Sequence, residues 1–289
     1  MPDPSVIASL STELSAAVTQ AAPSLVSVHS HRLRATGFLW KPGLIVTADE
    51  GLAEEGEIRV LFADGSVKPA TVAGRDHTTD IALLRVDGSA AGAAHLTTEV
   101  PPLGALAMIA AADHGTPVAA LAMISKSTER WRSLRGGEID ARIELDTRLR
   151  HSSEGGLVLN AAGQAIGMAV SGPRRTLVIP SVTIQRVASR LETHGRIARG
   201  YLGVGLQPVK LDDGVGAMVM SVDKAGPAAA AGLRQGDIIT AMNKEPISGV
   251  RALMRKLGPD SVGAVVELTG LRGGEPISFA LTVGERPAP

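Results

Sequence analysis

Apolar residues recur every fourth position at Val6, Leu10, Leu14 and Val18, which places them on one face of a short helix ending ahead of Pro23. From there to about residue 178 the pattern changes. LVSVHS, LIVTA, EIRVLF, ATVAG, IALLRV, LAMIAA, ARIELD, LVLN, AIGMAV and TLVIP are short runs of β-forming residues, many separated by Pro-Gly, Asp-Gly, Gly-Gly or Asn-Ala-Ala-Gly. Such spacing predicts an all-β barrel or sandwich and not alternating strand–helix–strand units. After Pro180 the period becomes helical. Ile184, Val187, Ala188 and Leu191 share a face, with Ser181 as the expected N-cap and Gly195 as the stop. Beyond it YLGVGL, AMVMSV, DIITAMN, VVELTGL and ISFALTV read as strands, interrupted by PAAAAGL and by VRALMRKL, in which Val250, Leu253 and Leu257 share one face. The expected boundaries are a helix at 1–22, a β domain at 23–180, a joining helix at 181–198 and a small mixed domain at 199–289.

A chain of 289 residues suits about two domains. Lys+Arg and Asp+Glu both number 29, so no global field draws it to nucleic acid or anionic lipid. Aromatic residues make up 2%, and the core must therefore be built from Val, Leu, Ile and Ala. The absence of cysteine excludes disulfides, thiolate metal sites and a Cys nucleophile. The first residues lack the basic and apolar regions of a signal peptide, and no stretch has the ~18 apolar residues of a membrane span. The expected location is cytoplasmic for a complete chain, and periplasmic or otherwise extracytoplasmic if a leader has been removed.

Several segments together resemble the HtrA/Deg-type trypsin-like serine peptidases that carry a C-terminal PDZ domain. Thr36-Gly37-Phe38 with Gly43-Leu44-Ile45-Val46-Thr47 is similar to the family's GSGFV…GYILT strand pair. Asp76-His77-Thr78-Thr79-Asp80-Ile81-Ala82-Leu83-Leu84 resembles D-x-x-x-D-I-A-V-L. Gly155-Gly156-Leu157-Val158-Leu159-Asn160, with Gly163 and Ile166-Gly167, resembles G-N-S-G-G-P-L-L-N…G-x-V-I-G. Ile179-Pro180-Ser181, His194-Gly195-Arg196 and Arg199-Gly200-Tyr201-Leu202-Gly203-Val204 are similar to the joint and the start of the PDZ domain. The resemblance implies a mainly β architecture, a chymotrypsin-like double six-stranded β-barrel joined by a helix to a PDZ domain.

Laid on this chain, the family's triad falls on Glu50 for the general-base His, Asp80 for the orienting Asp and Glu154 for the nucleophilic Ser, while Ser152 replaces the oxyanion-loop Gly. A serine peptidase needs a hydroxyl whose proton passes to an imidazole, and two carboxylates cannot reproduce that relay. A shifted nucleophile would need Ser152 or Ser153 beside His151, His77 or His29. The resemblance thus implies a pseudo-peptidase with no intact catalytic set. For Glu50, Asp80 and Glu154 two readings stay open: a relaxed, solvated cleft with pairing to Arg148 or Arg150, and a site for a hard divalent cation serving a carboxylate hydrolase. The first is favoured, so no cofactor or metal is expected. Neither His29 nor His31 has metal-site spacing, and Arg130, Trp131, Arg132 and Arg135 form a basic loop offset by Glu129, Glu138 and Asp140.

The small domain keeps its motifs. By resemblance, Tyr201, Leu202, Gly203 and Val204 form the loop whose N–H groups hold a C-terminal carboxylate, with Val250 or Met254 facing the last peptide residue. Gly226-Pro227-Ala228-Ala229-Ala230-Ala231-Gly232-Leu233 with Gly236-Asp237-Ile238-Ile239 is similar to S-P-A-A-x-A-G-L…G-D-x-I. The expected partners are peptides or protein C-termini captured by strand addition, in a scaffold, chaperone-like or regulatory role, and an active peptidase as a second partner. A homotrimer is implied by the resemblance.

Overall fold

The computed structural model describes residues 5–88, 92–212 and 214–287, and the chain divides into two units, Met1–Ile197 and Ala198–Pro289. The first unit begins with helix α1 (Val6–Ala21), followed by β1 (Leu25–Ser30), β2 (Leu33–Lys41), β3 (Leu44–Thr47), β4 (Ile58–Phe62), β5 (Val67–Asp76) and β6 (Ile81–Val86). These strands close into a barrel in the order β1-β2-β3-β6-β5-β4. A second set follows: β7 (Leu106–Asp113), β8 (Thr116–Thr128), a small hairpin of β9 (Trp131–Arg132) and β10 (Glu138–Ile139), then β11 (Arg142–Leu145), β12 (Leu157–Asn160), β13 (Ala165–Ser171) and β14 (Thr176–Pro180). Six of them close in the order β11-β14-β13-β12-β7-β8. Closure leaves no open sheet edge in either barrel. Helix α2 (Ser181–His194) ends the unit.

Burial explains why strand runs such as LIVT are apolar without alternation. On β3 the side chain of Ile45 fills the first barrel with Val26, Val28, Leu39, Val60 and Leu84. Its neighbour Val46 points the other way, into a cluster with Phe38, Leu83, Met108, Leu157, Met168 and, from α2, Ile184 and Leu191. Both faces are therefore buried, as a continuous apolar run requires. The second barrel is filled separately by Ile109, Ile124, Ile143, Leu145, Val158 and Val178.

Two local expectations need correction. Ser181 does not cap α2: Pro180 holds the cap position, and the Ser181 hydroxyl donates to the Ala165 carbonyl at 3.0 Å. The predicted stop stands, with Gly195 at φ 71° and its N–H on the Leu191 carbonyl at 2.9 Å. On α1 only the second half of the predicted stripe packs. Leu14 and Val18 are partly buried, whereas Val6 and Leu10 are exposed, because the first two turns run past the surface that covers the rest.

The second unit contains β15 (Gly200–Tyr201), β16 (Val204–Leu211), β17 (Gly214–Val222), α3 (Pro227–Ala230), β18 (Ile238–Met242), β19 (Glu245–Pro246), α4 (Val250–Lys256), β20 (Val265–Arg272), β21 (Glu275–Thr282) and β22 (Gly284–Glu285). Its main sheet runs β16-β17-β18-β20-β21. Leu202, Val219, Leu233, Ile239, Leu253, Leu257 and Leu268 form its core. The architecture is mainly β, two six-stranded barrels followed by a PDZ fold, as the sequence implies.

Candidate functional site

Three loops of the first unit deliver the carboxylates. After β3 the chain enters a 3-10 turn, Asp49–Gly51, which leaves Glu50 exposed. The β5–β6 turn holds Asp80 at φ 58°, a left-handed conformation that Asp tolerates better than most residues. Glu154 follows a second 3-10 turn, His151–Ser153. The path beyond it depends on Gly155 at φ 85°, where a Cβ would stand 2.1 Å from the Thr36 carbonyl oxygen. One oxygen from each of Glu50, Asp80 and Glu154 lies within 4.8 Å of the others. The three candidate triad positions therefore meet in space.

Asp80 accepts the Glu50 N–H at 2.8 Å. Burial pushes its carboxyl up to about 7, and the charges of Glu50, Glu154 and Asp49 add to that rise against the pull of the Glu50 N–H. It shares a proton with solvent near neutrality. Glu154 is buried, with Oε1 accepting the Ser171 N–H at 3.0 Å and its carbonyl accepting the Thr36 N–H at 2.8 Å.

This is not the relaxed cleft that the sequence favoured. Glu50 pairs at 2.8 Å with Arg135 and not with Arg148 or Arg150. Arg135 reaches it because the β9–β10 hairpin folds onto the 76–80 turn: Ser133 Oγ donates to the Thr78 carbonyl at 2.6 Å and Arg135 to that of His77 at 3.2 Å. Arg130 and Arg132 do pair locally, both with Glu138. The other participant that sequence reasoning missed is Asp49, buried beside Glu50 and bound to both Arg75 and His77. No local pattern announces it, since its partners lie on a different strand and turn.

The serines and histidines do not assemble a shifted relay. Ser153 is buried and Ser152 partly so. Among the described residues no hydrogen bond joins either hydroxyl to an imidazole: His77 is on Asp49, His29 stacks edge-on against His114 with centroids 5.6 Å apart, and His151 is exposed. Four N–H groups of the turn around Glu154 are also engaged. Ser153 donates to Arg150, Glu154 to His151, Gly155 to Ala169 and Gly156 to Ser153, at 2.9, 3.2, 2.8 and 3.0 Å. A peptidase needs such donors free and aimed at the oxyanion.

In the second unit, Tyr201, Leu202, Gly203 and Val204 link β15 to β16, with Gly203 at φ 77°. The Leu202 side chain is buried, its carbonyl accepts the Ala228 N–H at 2.8 Å, and the Gly203 carbonyl accepts the Asp223 N–H at 2.8 Å. Among the described residues the N–H groups of Leu202 and Gly203 make no hydrogen bond. The Tyr201 hydroxyl donates to Asp223 at 3.0 Å. Among the described residues β16 pairs only with β17, so its second edge takes no strand of this sheet. On α4, Val250 is partly buried and Met254 is 47% exposed.

The family described as trypsin-like peptidase domain matches residues 35–168, and the PDZ domain family matches 200–283. The chain joins an HtrA/DegP-type trypsin-like peptidase domain to a PDZ domain. A protein of Chlamydia pneumoniae named as a DegP-like periplasmic serine endoprotease is 30% identical over 277 residues, covering 88% of this chain and 56% of its own length. One of the same name from Rhizobium meliloti is 26% identical, with 89% and 55% covered. The HtrA-type chain thus spans just over half the length of these curated relatives. Two solved structures show the same fold: the HtrA-type protease AlgW with a decapeptide (TM-score 0.74, 23% identity, 94% of this chain and 98% of that one) and a serine endoprotease from Yersinia pestis (TM-score 0.73, 24% identity, 94% and 97%). The relatives correct one expectation. They are named periplasmic, which overturns the cytoplasmic location read from the first residues; a leader is removed on export, so the first residues of a folded chain need not show one.

Proposed function

We propose that this HtrA-type chain is a non-catalytic peptide-binding protein that works outside the cytoplasm. It captures the C-termini of peptides or unfolded proteins through its PDZ domain, as a scaffold or chaperone-like partner in protein quality control, alone or beside an active peptidase. The observation that carries this reading is the pair of carboxylates, Glu50 and Glu154, at the base and nucleophile positions. A carboxylate accepts a proton but cannot serve as the alkoxide of acyl transfer, and the engaged N–H groups of residues 153–156 offer no oxyanion stabilisation. The free Leu202 and Gly203 N–H groups supply the opposite case, donors ready for a terminal carboxylate. A trimer built through the peptidase-like domain belongs to this proposal.

The test pairs two measurements on the full chain. A fluorescently labelled unfolded protein should remain uncut, while a labelled peptide with a free C-terminus should bind and its amidated analogue should not. Cleavage by the parent that Glu154→Ala abolishes would overturn the non-catalytic assignment. The proximity of the three carboxylate oxygens supports a second reading, a cation-dependent hydrolase. That reading requires cleavage that appears only with Mg²⁺, Mn²⁺ or Ca²⁺ and is lost in Asp80→Asn.

A further inference from the structure

We propose, resting on the capture of C-termini described above, that Pro208 limits the ligand of the PDZ unit to about the last four residues of a chain. A carboxylate held by the Leu202 and Gly203 N–H groups lies at the start of β16. The ligand therefore runs antiparallel to that strand along its free edge, entering beside Leu211 and ending beside Val204. Antiparallel neighbours exchange hydrogen bonds only at every second residue. Pro208 fixes which residues of β16 these are. It stands opposite Ala217 in the ladder with β17, and a residue without an N–H keeps its place in a sheet where its nitrogen faces an unpaired edge. Pro208 therefore faces the ligand, as do Leu206 and Lys210, one alternation away on either side. The bulge in this ladder falls between Gly205 and Leu206, ahead of all three, and leaves their alternation intact.

With the last ligand residue level with Val204, the third from its end meets Leu206, whose N–H and carbonyl it can both engage. The fifth meets Pro208. There the edge has no donor, and the ring carbons occupy the space through which a ligand carbonyl would approach. The side chains end at the same point. Leu206 and Pro208 project from the face of the sheet on which their partners Val219 and Ala217 are fully buried. Along this face Val204 and Leu206 are partly buried and pack on the core with Val250 of α4, whereas Pro208 and Lys210 are exposed. The apolar wall thus accompanies the ligand only as far as Leu206. A tail that leaves the edge at Pro208 would have to rejoin it at Lys210 with nothing to pack on. The partner class that fits is a protein with a short extended C-terminal tail, folded clients included, and a long unfolded segment gains nothing by its length.

Calorimetric titration of the full chain with N-acetylated, alanine-rich peptides ending in a free valine, roughly four, six and eight residues long, measures the limit directly. All should bind the parent within about twofold of one another. In Pro208→Val, which returns a donor to the edge, the two longer peptides should tighten about fivefold, the worth of one exchanged pair of hydrogen bonds. The shortest should bind this variant as it binds the parent, which also shows that the loop and strand still fold. On the parent, N-methylation of the third residue from the end should remove binding, and N-methylation of the fifth should leave it unchanged. Affinity that climbs with length on the parent, no gain for the longer peptides in Pro208→Val, or loss of binding on methylating the fifth residue would each overturn the limit while leaving C-terminal capture in place. No binding at any length would overturn the capture itself, and the limit with it.

Discussion

The two units differ in which atoms their function asks for. On the proposed reading the chemistry of a peptidase would reside in the side chains at positions 50 and 154, both Glu here, while the strands that flank their loops close as barrels around Val, Leu and Ile. In the PDZ unit the proposed capture of a C-terminus rests on backbone N–H groups of Leu202 and Gly203, set by a glycine conformation and by the carbonyl bonds that hold the loop. A single substitution removes a hydroxyl or an imidazole. A backbone donor survives any substitution that leaves the chain path intact. The same drift in sequence is therefore fatal to one kind of site and tolerated by the other.

The largest expected effect asks whether the barrels can regain chemistry. Glu50→His with Glu154→Ser should restore at most a trace of cleavage, because the 153–156 N–H groups remain engaged. Adding Ser152→Gly should raise it by about 10²-fold in a fluorogenic assay of labelled unfolded protein, because glycine frees the turn to aim the N–H of residue 152 at the oxyanion, the worth of one such donor. Full activity from the first two changes alone would mean that the turn rearranges without help.

Next comes the reliance of each unit on a positive-φ glycine. Gly155→Ala meets the Thr36 carbonyl at 2.1 Å and should destabilise the barrels by roughly 3 kcal/mol, read from melting of Trp40 and Trp131, the chain's 2 tryptophans. Gly203→Val should cost C-terminal peptide affinity tenfold or more, since its Cβ would sit 3.0 Å from the Gly226 Cα at a backbone angle that costs a β-branched residue about 2 kcal/mol. The two variants should each leave the other unit's readout unchanged.

The acidic cleft has a pH signature that the PDZ unit lacks. The Asp80 carboxyl is raised in the folded state to about 7 from 3.8, so the folded protein binds the proton more tightly than the unfolded chain. Its contribution is fully present below the unfolded value and is lost as pH rises through the folded one. Barrel stability should therefore fall between about pH 4 and 7, and Asp80→Asn should flatten that slope and add roughly 2 kcal/mol at pH 8 with little change at pH 4. Asn accepts the same backbone angle and the same N–H bond from Glu50. An unchanged slope in tryptophan-monitored melts would place the carboxyl in its ordinary range.

The smallest effect is at the surface. Arg135→Ala breaks an ion pair whose side chains are 54% and 48% exposed, and should shift barrel stability by no more than about 0.5 kcal/mol. A larger loss would make the hairpin a structural strap across the cleft.

Much of this was readable before any coordinates, and the failures share a cause. No run of β-forming residues marks β8, which reads TPVAALAMISKST. Its proline and repeated alanines hide the period, and Leu121 and Met123 are exposed although apolar. The convergence of Glu50, Asp80 and Glu154 was anticipated only through motif resemblance. The partner that answers Glu50 could not be, since Arg135 is distant in sequence and reaches the cleft through a hairpin that packs on the 76–80 turn.

By itself the sequence determined the strand-rich organisation, the helix after Pro180 with its glycine stop, and the carboxylates at positions 50 and 154 where the resemblance would put an imidazole and a hydroxyl. These depend on local periodicity and residue identity, which the chain carries wherever it folds. Only the tertiary structure decided that Glu154 is buried on Ser171, that burial and neighbouring charge raise Asp80, and that the 153–156 N–H groups are engaged. Each of those is a property of groups far apart along the chain, and its energy exists only once closure of the barrels has brought them within reach.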